Sequence, residues 1–197
     1  MQSMKVKLTF TEAILGTSPS NAEIYRDFIG SKAPDANTVE DEVAALGVEE
    51  VIEKQMTIFP RTADGLPFLY DYQIKGFFKD TVGGLRKVKG TVSAGIKAYK
   101  KEIDKLIFVE EREIPFEDVD GIHHCQRPLR ASTPQGERIS LAMSEEIPAG
   151  ATVTFTIVCL HDDHMKLVKE CLDYGRYSGI GQWRNSGKGR FTWEQAE

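Results

Sequence analysis

Residues 151–160 carry the strongest secondary-structure signal in the chain. Apolar side chains recur there at every second position, at Val153, Phe155, Ile157 and Cys159. This period of two predicts a strand that buries one face and leaves the other more polar. Residues 5–10 alternate in the same way and predict a second half-buried strand. The chain therefore needs a sheet that has one covered face.

Helical patterns alternate with these strands. Residues 72–85, 93–105 and 164–174 carry apolar side chains at helical spacing, and a short closing strand follows at 190–193. Long strands interleaved with helices on an antiparallel sheet indicate an α+β protein. The split β-α-β arrangement of a ferredoxin-like domain fits this order most simply: an RRM-type antiparallel sheet with helices on one face.

The length of 197 residues fits a single domain, 1–197, with one insertion. Two acidic helical patterns, at 22–29 and 38–54, fall between the strand at 5–10 and a strand candidate at 55–59. They predict an acidic helix pair inserted at about 18–54, which suits a protein contact better than a nucleic-acid contact. Farther along, two strand patterns flank Pro134-Gln135-Gly136 and predict a β-hairpin.

Composition limits the cellular setting. No apolar run approaches the roughly 20 residues that cross a bilayer, and the N-terminus lacks a secretion-signal pattern. Cys125, Cys159 and Cys171 form an odd, scattered set, which argues against a disulfide framework. We therefore expect a cytoplasmic protein without a membrane partner.

The charge is unevenly spread along the chain. The formal net charge of −5 argues against indiscriminate polyanion binding. Residues 75–105 are nevertheless rich in cations: Lys75, Lys79, Arg86, Lys87, Lys89, Lys97, Lys100, Lys101 and Lys105. Such a cluster indicates either a charged partner or a solvated helix face.

The segment 175–193 combines glycines, cations and tryptophans. Glycine tolerates positive φ and close backbone approach, and successive free N–H groups in such a loop form an anion-binding concavity. Arg184, Lys188 and Arg190 suit phosphate, and Trp183 can stack on a base. The alternative is a glycine-rich loop that only packs against the body of the domain.

Three segments resemble the RAMP superfamily of CRISPR-associated RNA-binding proteins. Residues 72–80, which include Ile74-Lys75-Gly76, are similar to the start of the family's first helix. Residues 144–155, which include Ile147-Pro148-Ala149-Gly150, are similar to the entry to its core strand. Residues 179–191 are similar to its terminal glycine-rich loop.

The resemblance implies an RRM-type fold with RNA lying along the sheet or over the glycine loop. Our first hypothesis is a noncatalytic protein of this type, which binds single-stranded RNA beside other RAMP-like subunits or a CRISPR effector. The residues that it points to are Lys75, Gly76, Lys79, Gly181, Arg184, Ser186, Gly187, Lys188, Gly189 and Arg190. Trp183 joins this set from the residue argument above, and Arg127 and Arg130 near the hairpin are further candidates for phosphate contacts.

Several alternatives stay open. The chain can be a virus- or mobile-element-encoded antagonist that mimics an effector subunit and docks through its acidic helices. It can be a metal-independent endoribonuclease that uses His123 or His124 as general acid or base. A homo-oligomer and a small nucleotide in the loop are also compatible with the sequence.

We predict neither a metal nor a cofactor. His161 and His164, with the aspartates between them, fit a metal site or a helix start, and we favour the helix start. Four aromatic residues can stack bases, but a core position is the simpler interpretation: Tyr70, Tyr72, Phe77 and Phe78.

Overall fold

The computed structural model describes residues 1–20, 56–133 and 136–196, and within them all side chains except those of residues 129–141. The two predicted acidic helices, at 22–29 and 38–54, lie outside the described residues. The insertion at about 18–54 therefore stays a prediction.

The described residues form strands and helices in alternation. The strands are β1 (Gln2–Phe10), β2 (Ile14–Leu15), β3 (Ser18–Pro19), β4 (Thr57–Ile58), β5 (Phe68–Tyr70), β6 (Ile107–Val109), β7 (Glu113–Glu117), β8 (His123–Thr133), β9 (Gly136–Ile147), β10 (Thr152–Cys159) and β11 (Phe191–Gln195). The α-helices are α1 (Asp71–Leu85), α2 (Tyr99–Leu106) and α3 (Asp162–Asp173). Short 3-10 turns span Ser93–Gly95, Tyr174–Arg176 and Arg184–Ser186.

The chain divides into two compact units. The first comprises Met1–Ile14, Pro60–Ile122 and Ile147–Glu197, and the second comprises Leu15–Phe59 and His123–Glu146. The first unit contains all three described helices and the segments that resemble the RNA-binding family at 72–80 and 179–191.

The sheet of the first unit has the strand order of a ferredoxin-like domain. β1 lies between β10 and β11, and β6 and β7 both pair with β10 on its other side. Each of these pairings is antiparallel. Helices α1 and α2 connect β1 towards β6, and α3 connects β10 to β11. This is the split β-α-β arrangement, so the predicted α+β class is confirmed.

One face of this sheet is buried. The alternation predicted for β1 and β10 is confirmed, because Met4, Val6, Leu8 and Phe10 are buried together with Val153, Phe155, Ile157 and Cys159. Helices α1 and α3 contribute Ile74, Phe77, Phe78, Val82, Leu167, Val168, Cys171 and Leu172 to the same core. The helices thus pack on the apolar face, and the alternate residues of the strands point away from it.

The predicted helix at 93–105 is two elements. A 3-10 turn spans Ser93–Gly95, and α2 begins only at Tyr99. The carboxylate of Glu170 in α3 accepts hydrogen bonds from the N–H groups of Val92 and Ser93, at 2.7 and 2.9 Å, and from the Ser93 hydroxyl. This long-range contact fixes the turn, and no local sequence pattern signals it.

Three further details concern where individual elements begin and end. Helix α1 ends at Leu85, as predicted, and a Cβ at Gly83 would stand 3.1 Å from the Tyr99 hydroxyl, so glycine there leaves room for α2. His123–Gln126 belongs to strand β8, which pairs with β9 from His123↔Glu146 onwards. Helix α3 begins after His161, whose Nδ1 accepts the Asp163 N–H at 3.2 Å, so His161 is the cap in place of an aspartate.

The second unit is built on the predicted hairpin, which the structure confirms. β8 and β9 pair antiparallel from His123↔Glu146 to Thr133↔Gly136. β4 adds to β9 in parallel through Thr57↔Ser144, where the two hydroxyl oxygens lie 2.7 Å apart. The buried carboxylate of Glu145 accepts the Phe59 N–H at 2.8 Å.

The three cysteines differ in reactivity. Burial raises the pKa of Cys159 to about 11 and raises that of Cys171 further, whereas Cys125 is half-buried. Because only the thiolate reacts, the two core thiols are inert at pH 8. We expect iodoacetamide to label Cys125 in the native protein and Cys159 and Cys171 only after denaturation, as read by peptide mass spectrometry. Rapid native labelling of Cys171 would contradict its burial.

Among the described residues, no helix is both long enough and apolar enough to span a membrane.

Candidate nucleic-acid interface

The glycine-rich segment between α3 and β11 is held together by its own backbone. Ile180 N–H donates to the carbonyl of Gly189 at 3.0 Å, and Gly189 N–H donates to the carbonyl of Ala13 at 2.8 Å. The two arms of the loop touch at Gly179, where a Cβ would lie 2.1 Å from the Lys188 carbonyl oxygen. Gly189 has a φ of +70°, and a Cβ there would lie 2.0 Å from the Ile180 carbonyl oxygen. Glycine is required at both positions because no side chain fits between the arms.

The tip of this loop is a single 3-10 turn over Arg184–Ser186. Residues in the left-handed region flank it on both sides, Trp183 with φ 57° and Gly187 with φ 87°. The N–H groups of Ser186 and Lys188 donate to the Trp183 carbonyl, and that of Gly187 donates to the Arg184 carbonyl. Together with Gly189, four successive amides therefore bind carbonyls of the chain. The expectation of free N–H groups is wrong at these four positions, so an anion here meets side chains instead.

The predicted loop residues differ in their accessibility. Gly187 and Gly189 are buried, and Ser186 is exposed at the tip. The remaining residues are half-buried: Gly181, Trp183, Arg184, Lys188 and Arg190. The Arg190 guanidinium packs over Gly187, where a Cβ would stand 3.4 Å from it. Its buried Nε has no hydrogen-bond acceptor within the described part of the chain.

An ion pair joins the loop to helix α1. Arg184 Nη1 lies 2.9 Å from Asp80 Oδ2, and 38% of the Arg184 side chain is exposed. The two partners are 104 residues apart in the sequence. This contact brings together the two segments that sequence analysis selected separately, the α1 segment at 75–79 and the loop at 181–190.

The α1 lysines are engaged with helix α2. Lys75 Nζ donates to the Asp104 carbonyl at 3.0 Å and lies 5.2 Å from the centre of the Phe108 ring. Lys79 forms an ion pair with the Asp104 carboxylate. Gly76 is exposed, and a Cβ there would meet nothing within 4 Å. A ligand on this face of α1 therefore competes with Asp104 for the two lysines, and it meets open space at Gly76.

The remaining candidates belong to the second unit. Arg127 on β8 is buried, with 6% of its surface exposed, and this burial lowers its pKa. The side chain of Arg130 is outside the described set. His123 and His124 are exposed and stand opposite Glu146 and Glu145 in the β8–β9 ladder.

The outward face of the first unit's sheet is rich in carboxylates. On β1 this face carries Lys5 and Lys7, and Lys7 lies 4.0 Å from Asp118. On β10 it carries Thr154 and Thr156. Glu111 lies in the connection between β6 and β7, and its carboxylate accepts hydrogen bonds from the N–H and the hydroxyl of Thr156. These carboxylates lower the positive potential that Lys5 and Lys7 give to this face.

The two C-terminal histidines have separate structural roles. His161 caps α3, and His164 Nε2 lies 3.2 Å from Glu102 Oε2, which joins α3 to α2. Within the residues that the structure describes, no group of three or more His, Cys, Asp or Glu side chains is placed to hold a metal ion.

In the comparisons with known proteins, similarity was found to solved structures. The whole chain is similar to 60% of a chain in the cryo-EM structure of the Type III-B Cmr-beta bound to cognate target RNA, with 11% identity and a TM-score of 0.53. Two other similar structures are Cmr6 from Pyrococcus furiosus and the Type IV-B CRISPR Complex. For Cmr6, the identity is 12% and the TM-score is 0.48, and the similarity covers 97% of each chain. For the Type IV-B complex, the identity is 11% and the TM-score is 0.49, and the similarity covers 99% of this chain and 90% of that one.

No family model and no curated protein sequence matches this chain. The chain spans 60% of the length of the Cmr-beta chain that it resembles, and at 11% identity the two share the fold.

Asp80 is one residue of this candidate interface that sequence analysis missed. It follows Lys79 directly, and adjacent charges of opposite sign are common on the exposed face of a helix, so nothing in the sequence marks Asp80 as special. Only the folded chain places it against Arg184. Glu170 was missed for the same reason, because its partners Val92 and Ser93 are more than 75 positions away.

Proposed function

We propose that this chain binds single-stranded RNA through its phosphates, across the loop tip and helix α1. It does so as a RAMP-type component of a CRISPR-type ribonucleoprotein, or as an antagonist that occupies the place of such a component. The observation that carries the proposal is the Arg184–Asp80 ion pair, which holds a partly exposed guanidinium of the glycine loop beside the lysine-bearing helix.

Two independent lines support this proposal. The three motifs that resemble the RAMP superfamily include both α1 and the glycine loop. The fold is shared with a chain in a structure that contains bound target RNA. Neither line depends on the contact between Arg184 and Asp80, which joins the two motifs in space.

Electrostatics supports the loop as the contact surface. Arg184, Lys188 and Arg190 place three cations within seven residues, on a backbone that glycine contacts hold in one shape. A protein that neutralises phosphates with such groups binds RNA with a strong salt dependence.

A pair of variants that break the same ion pair tests this function. Arg184→Ala removes the cation, whereas Asp80→Ala removes only its partner, so both lose the exposed salt bridge and about 0–1 kcal/mol of stability. We expect Arg184→Ala, alone or with Lys188→Ala, to weaken binding of a single-stranded RNA oligonucleotide. The slope of log affinity against log salt should fall by about 0.7 for each lost phosphate contact.

Asp80→Ala is the matched control. It should bind the RNA at least as tightly as the unaltered protein, because Arg184 is released from a competing carboxylate. Fluorescence anisotropy across a salt series measures both effects. Equal RNA affinity for Arg184→Ala and the unaltered protein would overturn the loop as the RNA contact.

A further inference from the structure

An aromatic pair stands at the start of helix α1. Tyr70 ends β5 and Tyr72 lies in the first turn of α1, and their rings are stacked with centroids 5.1 Å apart and planes 18° from parallel. The inner ring, Tyr70, packs edge-on against the buried Phe68. The outer residue, Tyr72, is 51% exposed.

An arginine flanks both rings. The guanidinium carbon of Arg112 lies 5.4 Å from the ring centre of Tyr70 and 5.7 Å from that of Tyr72. Its ion pair with Asp71 holds it there, and the Asp71 N–H donates to the Arg112 carbonyl at 3.2 Å. The Arg112 side chain is nevertheless 67% exposed. The cluster is therefore fixed in shape and open to solvent.

The start of α1 has backbone contacts that fix it independently of the outer ring. Tyr70 N–H donates to Gln73 Oε1 at 2.8 Å, and β5 pairs with β7 through Tyr70↔Glu113. The Tyr72 ring is therefore exposed, and it is not needed to stabilise the secondary structure at this position. Rigid exposed tyrosines beside arginine are suited to stacking on flat ligands, since little conformational freedom is lost on binding.

We propose that Tyr72 and Arg112 form a nucleobase-stacking subsite for the RNA. This inference rests on the proposed function and adds to it a contact with bases where the loop contacts phosphates. On α1, Tyr72, Gly76 and Lys79 are spaced by four and three residues, so they share one face of the helix. Tyr72 is about 12 Å along the helix axis from Asp80, the residue that anchors Arg184.

Gly76 leaves the path between the two contacts open. It is exposed on the shared face, and a Cβ there would meet nothing within 4 Å. A strand that rests on Arg184 can thus follow α1 towards its first turn and place a base against Tyr72. Stacking of this kind tolerates any base, because every base offers a flat face.

The test compares a single-stranded oligouridine with an abasic ribose-phosphate oligomer of the same length. We expect Tyr72→Ala and Tyr72→Leu to bind the oligouridine about tenfold more weakly, the order of one lost base stack, and to bind the abasic oligomer within twofold of the unaltered protein. Tyr72→Phe retains the flat ring and should bind both oligomers normally. Thermal unfolding of each variant verifies that it is folded, and Tyr72→Leu retains apolar bulk if Tyr72→Ala does not fold.

The outcomes separate the two proposals. Unchanged oligouridine affinity in Tyr72→Leu, or an equal loss on both oligomers, overturns the stacking subsite and leaves RNA binding by the loop intact. Failure of the unaltered protein to bind either oligomer overturns the proposed function and the subsite together.

Discussion

Gly179→Ala is expected to destabilise the protein by about 3 kcal/mol or more and to abolish RNA binding by the loop. The added methyl group would lie 2.1 Å from the Lys188 carbonyl oxygen and 2.5 Å from the Gly189 carbonyl carbon. Both are backbone atoms, and Gly189 is tied to Ala13 by a hydrogen bond. The clash therefore cannot be relieved by a side-chain rotation, and the arms of the loop must separate.

Urea unfolding measures the change in stability, and anisotropy of a labelled RNA measures binding. Gly84→Ala in α1 is the matched control, because a Cβ there meets nothing within 4 Å and the position is helical. Alanine at Gly84 should stabilise the protein by roughly 0.5–1 kcal/mol. A Gly179→Ala variant as stable as the Gly84→Ala variant would show that the arms do not touch as described.

Phe191→Ala is expected to cost about 3–5 kcal/mol of stability, the range for removing a fully buried phenylalanine. The ring is 5.1 Å from that of Phe77 in α1 and 6.2 Å from that of Phe10 in β1. It also lies so close to Gly175 that a Cβ there would stand 2.3 Å from it. One ring thus holds the end of the glycine loop against α1 and the sheet.

Thr192→Ala is the control, since Thr192 is exposed on the same strand. It should change the free energy of unfolding by less than about 0.5 kcal/mol. Phe191→Leu should fall between the two, because it retains apolar volume but leaves space around the ring site. A loss below about 1 kcal/mol in Phe191→Ala would mean that the loop end is not part of the core.

The sheet was predictable because its signal is local. Apolar side chains occupy every second position at Val153, Phe155 and Ile157, within one short segment. Burial of one face of the sheet follows directly from this pattern. Helix α1 was predictable for the same reason, from Ile74, Phe77 and Val82. The helix boundary that failed, at Ser93, depends on Glu170, a residue of another element.

The residues of the candidate site could be selected from the sequence, whereas their contacts could not. The cations of the loop are visible in sequence, and so is the need for glycine. Whether an amide is free depends on where its neighbours' carbonyls point, and in the loop they point at Ser186, Gly187, Lys188 and Gly189. Partners such as Asp80 and Asp104 were also unpredictable, because opposite charges that are distant in sequence meet only after folding.

The carboxylate of Glu170 has a consequence for the cation-rich segment that follows α1. Its hydrogen bonds to Val92 and Ser93 hold this turn against α3, the helix that leads into the glycine loop. Lys87, Lys89 and Lys97 are exposed around this turn, and none forms an ion pair within the described part of the chain. Because these bonds hold the turn, binding of a polyanion there would restrict the lysine side chains more than the backbone. The long-range field of these lysines can then speed its encounter with the protein before any close contact is made.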